Sequence, residues 1–235
     1  MRGNINSRPN LKTHLSHAHV AASGSSSINR QKMSMDTHDL VRRFNRIGYI
    51  DQQSPLVTQA IPFFPQISKI FQRHKAIANF GIALVHRHVE LSHGFAMVHQ
   101  YRTPDEDLCV MEPLGSRTLF PRSYHLDGDT FLPYEFAHEP TITPSAEFLS
   151  EMKDFLSEHK LDGVIGLISV RANNELWLER PAETGNGTIS RATPRKPGVL
   201  DGWRITEWTW REDGDGIEIV MYKGCEEKPA GHVRT

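Results

Sequence analysis

The stretch "GWRITEWTWREDGDGIEIVMYKGC", residues 202–225, constrains this chain more than any other. Two runs rich in β-branched and aromatic residues flank a pair of Asp-Gly steps, the strongest short signal for a β-hairpin. A tight turn forces its two strands to be antiparallel, because a parallel return needs a long crossover. Further strands are expected in "FGIALVHRHVE", "FAMVHQY", "GVIGLISV" and "ELWLER". The segment 181–200, "PAETGNGTISRATPRKPGVL", reads as a loop because Pro, Gly and Thr dominate it.

Three helices are expected. In "DTHDLVRRFNRIG", Asp36 or Thr37 caps a helix whose Leu40, Val41, Phe44 and Ile47 share a face, with Gly48 as the stop. In "PQISKIFQRHKAIAN", Pro65 suits a first turn, and Ile67, Ile70, Phe71, His74 and Ile77 fall at helical spacing. In "TPSAEFLSEMKDFLSEHKLDG", Thr143 is the expected cap ahead of a stripe of Phe148, Leu149, Met152, Phe155 and Leu156. Runs of strands with few helices predict an α+β fold, an antiparallel sheet with about three helices packed mainly on one face.

The 235 residues suffice for one sizeable domain, expected over 36–235. Residues 1–35 carry five basic side chains (Arg2, Arg8, Lys12, Arg30, Lys32), no acid and abundant Ser, Asn and His. Such a composition cannot offset the entropy of ordering, so a disordered basic tail is expected. It also matches a mitochondrial transit segment, the alternative to an unstructured tail or to translation begun upstream of Met33 or Met35. A net charge of -1 argues against nucleic acid as a partner, and no apolar run reaches the length of a membrane helix. The cysteines number two, Cys109 and Cys225, too few for a disulfide framework. A reducing, cytoplasmic setting is therefore expected.

The chemistry concentrates in the strand "FGIALVHRHVE" and its neighbour. Alternation places Phe80, Ile82, Leu84, His86, His88 and Glu90 on one face, so apolar positions give way to imidazoles at one end. With a two-residue loop at Ser92–His93, His99 of the next strand stands opposite His86, and three rings converge; a three-residue loop sends His99 to the other face. The first register can hold a divalent transition metal such as zinc through His86, His88 and His99. Cys225 and His232 complete a mixed site if the C-terminus folds back. Against this stands the plainer reading of His86 and His88 as a hydrogen-bonded polar pair.

Other candidates are weaker. Glu135 and His138 in "PYEFAHEP" form an acid–base pair if both line the cleft of His88, and a surface edge otherwise. "HLSHAH" (His14, His17, His19) reads as polar filler. Asp127 and Asp129 in "PRSYHLDGDT" lack the later ligands of a calcium loop and read as a β-turn. Trp203, Trp208, Trp210 and Tyr222 suit sheet packing better than a ligand wall.

The His-Arg-His strand after a helix, the "PYEF" of residues 133–136 and the closing Cys-Gly-His resemble a group of fungal proteins without assigned activity. Those carry a His-Arg-His-Phe strand followed by a Gly-Glu step; here Val89 stands for the Phe and Phe95 for the Glu. The resemblance implies a fungal origin and a shared fold, and no activity. Two functions are carried forward: a small-molecule-binding protein or metal-dependent enzyme with a cleft at the His86/His88 strand end, or a non-catalytic protein-interaction module without metal.

Overall fold

The computed structural model describes residues 36–171, 175–195, 199–213 and 216–226. The basic tail, its His14, His17 and His19, and His232 lie outside them. Among the described residues there are five α-helices: α1 (Thr37–Arg46), the one-turn α2 (Ile50–Gln53) and α3 (Val57–Ala60), α4 (Phe64–Arg73) and α5 (Ala146–Glu158). Asp36 caps α1 by accepting from the His38 amide. Ser145, rather than Thr143, caps α5, its hydroxyl accepting from the Phe148 amide.

The strands are β1 (Phe80–Leu84), β2 (Phe95–Thr103), β3 (Glu106–Pro113), β4 (Phe120–Asp127), β5 (Thr130–Ala137), β6 (Ile165–Ser169), β7 (Leu176–Pro181), β8 (Gly187–Thr193), β9 (Trp203–Asp213) and β10 (Gly216–Glu226). They close into a barrel in the order β1-β6-β4-β5-β2-β3-β8-β7-β10-β9. The expected open α+β sheet is thereby overturned. β1 pairs on one side with β6 and on the other with β9, so no edge remains there. β3, β4 and β5, where no strand is expected from the sequence, and β8, which falls in the expected loop 181–200, supply the strands that a twisted sheet needs to meet itself. Most neighbours are antiparallel, while β2–β5 and β7–β10 are parallel.

Each wall has two faces of opposite character. Ile82 and Leu84 of β1, Ile165 and Leu167 of β6, Tyr124 and Leu126 of β4 and Trp208 and Trp210 of β9 form the largest apolar cluster. Phe64, Ile67, Ile70 and Phe71 of α4 and Phe148, Met152 and Leu156 of α5 cover them. Phe71 meets both Phe148 and Trp210 edge-on, with ring centroids 5.0 and 5.1 Å away. Leu40 of α1 similarly covers Ala96, Val98 and Phe136.

The opposite face is buried and largely polar, with Ala83, Ile168, Trp177 and Tyr222 as an apolar part of it. Arg122 of β4 lies 3.6 Å from Glu207 of β9, although β6 and β1 intervene in the strand order. Such a contact can only cross the interior. Strand direction then distinguishes two ends. Ser169, Ala137, Tyr101 and Arg122 stand at one end; the end of β1, Glu179 and Cys225 stand towards the other.

Candidate functional site

β1 stops at Leu84, and the chain leaves the wall. The following loop is held from both sides. Arg87 Nε donates to the Ile47 carbonyl at 2.7 Å and its guanidinium covers the Tyr49 ring at 3.8 Å. Asn45 both donates to the Leu91 carbonyl (2.9 Å) and accepts from the Leu91 amide (2.8 Å). Phe44 and Ile47 pack with Val85, Leu91, Met97 and Tyr134. This anchored loop carries His86 and His88, and no β1–β2 hairpin forms. The register that paired His86 with His99 is therefore replaced: His99 lies opposite Cys109 of β3 and beside Ala137 of β5.

His86 and His88 instead meet Glu179 of β7 and Cys225 of β10, which face each other across the parallel pair. The four donor atoms lie within 4.8 Å of one another. His86 Nε2 is 3.0 Å from His88 Nε2, and Cys225 Sγ is 3.5 and 3.6 Å from these two nitrogens. Glu179 Oε2 is 3.2 Å from His88 Nε2 and accepts from the Cys225 thiol at 2.9 Å. Zinc bonds of ~2.0–2.3 Å in a tetrahedron put donor atoms ~3.3–3.6 Å apart. The distances among the two imidazoles and the thiol and from His88 to Glu179 lie close to that range, while the Cys225–Glu179 hydrogen bond is shorter and would open to admit an ion.

Hydrogen bonds orient the donors. His86 Nδ1 faces the Leu84 carbonyl at 2.8 Å, and a carbonyl can only accept. The proton therefore sits on Nδ1 and the Nε2 lone pair points into the cluster, the arrangement a metal-bound imidazole takes. Desolvation, then the neighbouring His88, push the His86 pKa down to about 4, keeping the ring neutral. Glu179 Oε1 accepts from Thr188 at 2.6 Å and pairs with Lys223 at 3.5 Å, leaving Oε2 for the cluster. Burial opposes the Glu179 charge, yet Lys223 and His88 outweigh it and hold the carboxyl well below its ordinary pKa. Burial and the Glu179 charge push the Cys225 thiol well up, so without a cation it stays protonated.

Sequence reasoning missed Glu179. Its signal is an acid two positions after Trp177, on the inward face of "ELWLER". Cys225 needs no folding back of the C-terminus, because β10 itself delivers it.

His99 belongs to a second group with Cys109 and Glu135, whose donor atoms also converge. Its Nδ1 lies 2.6 Å from Asp107 and its Nε2 3.4 Å from Glu135. Burial and Arg122 disfavour the imidazolium, but Asp107 outweighs them and the pKa stands well above the ordinary value. A ring protonated on both nitrogens has no lone pair for a metal. Glu135 also accepts from Ser123 at 2.6 Å, whereas His138 pairs with Glu112 at 3.0 Å. The Glu135–His138 acid–base pair is thus not assembled. Asp127 and Asp129 flank Gly128 in the β4–β5 turn, where φ is +61°.

A chain of charges runs on from the four-donor cluster. Lys223 Nζ bridges Glu179 and Glu207 at 3.5 and 3.3 Å, and Glu207 leads to Arg122. Arg122 stands on a cavity of about 690 Å3 at the opposite end of the barrel, lined also by Tyr101, Ala137, Ser169, Val170 and Arg171. No helix among the described residues is long and apolar enough to cross a membrane. Comparison with protein-family models, curated proteins and solved structures finds no match for the chain.

Proposed function

We propose that this protein is a small-molecule-binding β-barrel that carries a zinc ion at the end opposite its ligand cavity, held by His86 Nε2, His88 Nε2, Glu179 Oε2 and Cys225 Sγ. The observation that carries the reading is the convergence of these four atoms from three separate segments, at spacings suited to a tetrahedron. Charge supports it. Arg122, Lys223 and protonated His99 face Asp107, Glu179, Glu207 and the partly buried Glu135, which leaves this network one negative charge in excess. A divalent cation bound with Cys225 as thiolate cancels that excess.

Four protein donors fill a tetrahedral shell, the pattern of a structural site rather than one with an open position for water. The ion would tie the 85–94 loop to β7 and β10, and the cavity would take the ligand. Its volume falls in the range typical of small-molecule sites. No reaction is assigned.

Cobalt(II) titration of chelator-treated protein tests the metal. One equivalent should give a thiolate-to-cobalt absorption band that disappears in Cys225→Ser, and zinc should displace it. Zinc at ~100-fold above its dissociation constant should add about 2.7 kcal/mol to stability. A full-length, folded sample whose spectrum and melting temperature ignore both ions would overturn the assignment.

A further inference from the structure

The mouth cavity holds an imbalance of its own. Three side-chain atoms on its lining residues are buried without a hydrogen-bond partner among the described residues: Arg122 Nε, Ser169 Oγ and Arg171 Nη1. Arg122 is 3 % exposed, so water cannot freely serve it. Its other nitrogens are committed, Nη1 donating to Ser123 at 3.2 Å and Nη2 facing Glu207. Arg171 is immobilised from one side, its guanidinium stacked 4.0 Å from the Tyr101 ring centroid. A buried donor left unserved forfeits its hydration with nothing in return, so three on one cavity amount to a substantial demand for an acceptor.

From this we infer that the mouth binds a small organic acid through its carboxylate. Every unserved atom is a donor or can donate, so the missing group is an acceptor, and guanidinium forks favour a planar two-oxygen acceptor. The charge is that of a monoanion. Arg122 is already balanced by Glu135 and Glu207. On the rim, Arg102 and Glu139 offset each other. Arg171 remains as one cation to be neutralised. Beside the uncharged polar Asn79, Thr103 and Thr141, much of the remaining lining is apolar or aromatic, with Tyr101, Val170, Pro140 and Ile142, the last exposed to 54 %. An acid with an apolar body fits such a wall better than inorganic phosphate does.

The inference rests on reading the mouth as a ligand pocket and is independent of the zinc. Its test uses the full chain, with and without zinc, and benzoate, neutral benzamide and inorganic phosphate as probes. Calorimetry should detect benzoate binding, with benzamide weaker by about tenfold or more, the loss of one charge-assisted hydrogen bond. Amide shifts on adding benzoate should centre on Tyr101, Ser169 and Val170, a readout that needs no variant. Arg171→Gln should weaken benzoate about tenfold and benzamide much less, whereas Ser169→Ala should weaken both. Equal binding of benzoate and benzamide, or phosphate outcompeting benzoate, would overturn the carboxylate while leaving the pocket. Failure of every probe to shift those amides would overturn the pocket reading as well.

Discussion

At the scale of single residues, the interior depends on charges that must be matched. His99, held protonated by Asp107, contributes stability that is complete below the ordinary histidine value of 6.5 and is lost as pH rises through its raised folded value. Asp107 and Glu135 have the opposite sign. Both are depressed against the cost of burial, Asp107 chiefly by His99, and Glu135 by His99 and then Arg122 to about 2. Their contribution is complete above the ordinary carboxylate values and is lost as pH falls through the depressed ones. His86, whose folded value of about 4 lies below its ordinary 6.5, also costs stability as pH falls below 6.5, so urea unfolding of chelator-treated protein should show greatest stability at about pH 6.5, declining on both sides. His99→Gln should flatten the alkaline decline and lower the maximum; an unchanged alkaline slope would refute the assigned protonation. Lys223→Met should cost about 3–5 kcal/mol in the same assay, because it leaves Glu179 and Glu207 buried against each other without their shared cation.

At the scale of elements, local pattern and tertiary demand part company. α1, α4 and the α5 stripe were legible because apolar spacing and caps are written in contiguous residues. So were β2, β6, β7, β9 and β10. β8 was not: "GTISRAT" is small and polar because its inward Thr188 and Ser190 serve the interior, with Thr188 bonding Glu179. A strand with one polar buried face and one partly exposed face lacks the apolar alternation that marks strands in sequence. β3 and β4 hide for the same reason, since Asp107, Arg122 and Ser123 point inward. The candidate site was half legible. His86 and His88 announce themselves by proximity, whereas Glu179 is 91 residues from His88 and is brought there by barrel order alone. Gly187 shows how close that order brings the backbones. A Cβ there would lie 2.1 Å from the Cys109 carbonyl oxygen and 2.8 Å from Val110 Cα. Gly187→Ala should destabilise by ~1–3 kcal/mol or more and raise amide exchange across β3 and β8; exchange unchanged in both strands would refute this close contact.

At the scale of the whole molecule, closure is the feature that alternation could not reveal. The β1–β9 seam is short, with only Ile82–Trp208 and Ala83–Glu207 in register. Both Ile82 and Trp208 look outward into the cluster beneath α4 and α5, so the helices act as a clasp over the join. Phe71→Ala, which empties a fully buried ring site between Phe148 and Trp210, should cost about 3–5 kcal/mol. Hydrogen exchange in that variant should rise first at β1 and β9; uniform loss of protection around the barrel would argue that the seam is no weaker than the rest.

The charge chain Arg122–Glu207–Lys223–Glu179 has a consequence for the two ends it joins. Fields in a buried interior are poorly screened, so an anion arriving near Arg122 weakens that residue's hold on Glu207 and frees Lys223 to lean on one acid more than the other. Whatever factor the guest acid imposes on zinc affinity, zinc must impose on the acid, since the cycle has to close. Measuring benzoate affinity at saturating and at zero zinc, and zinc affinity at saturating and at zero benzoate, should give one common ratio different from unity. In Lys223→Met that ratio should collapse to one, severing a conversation that neither pole could hold through water.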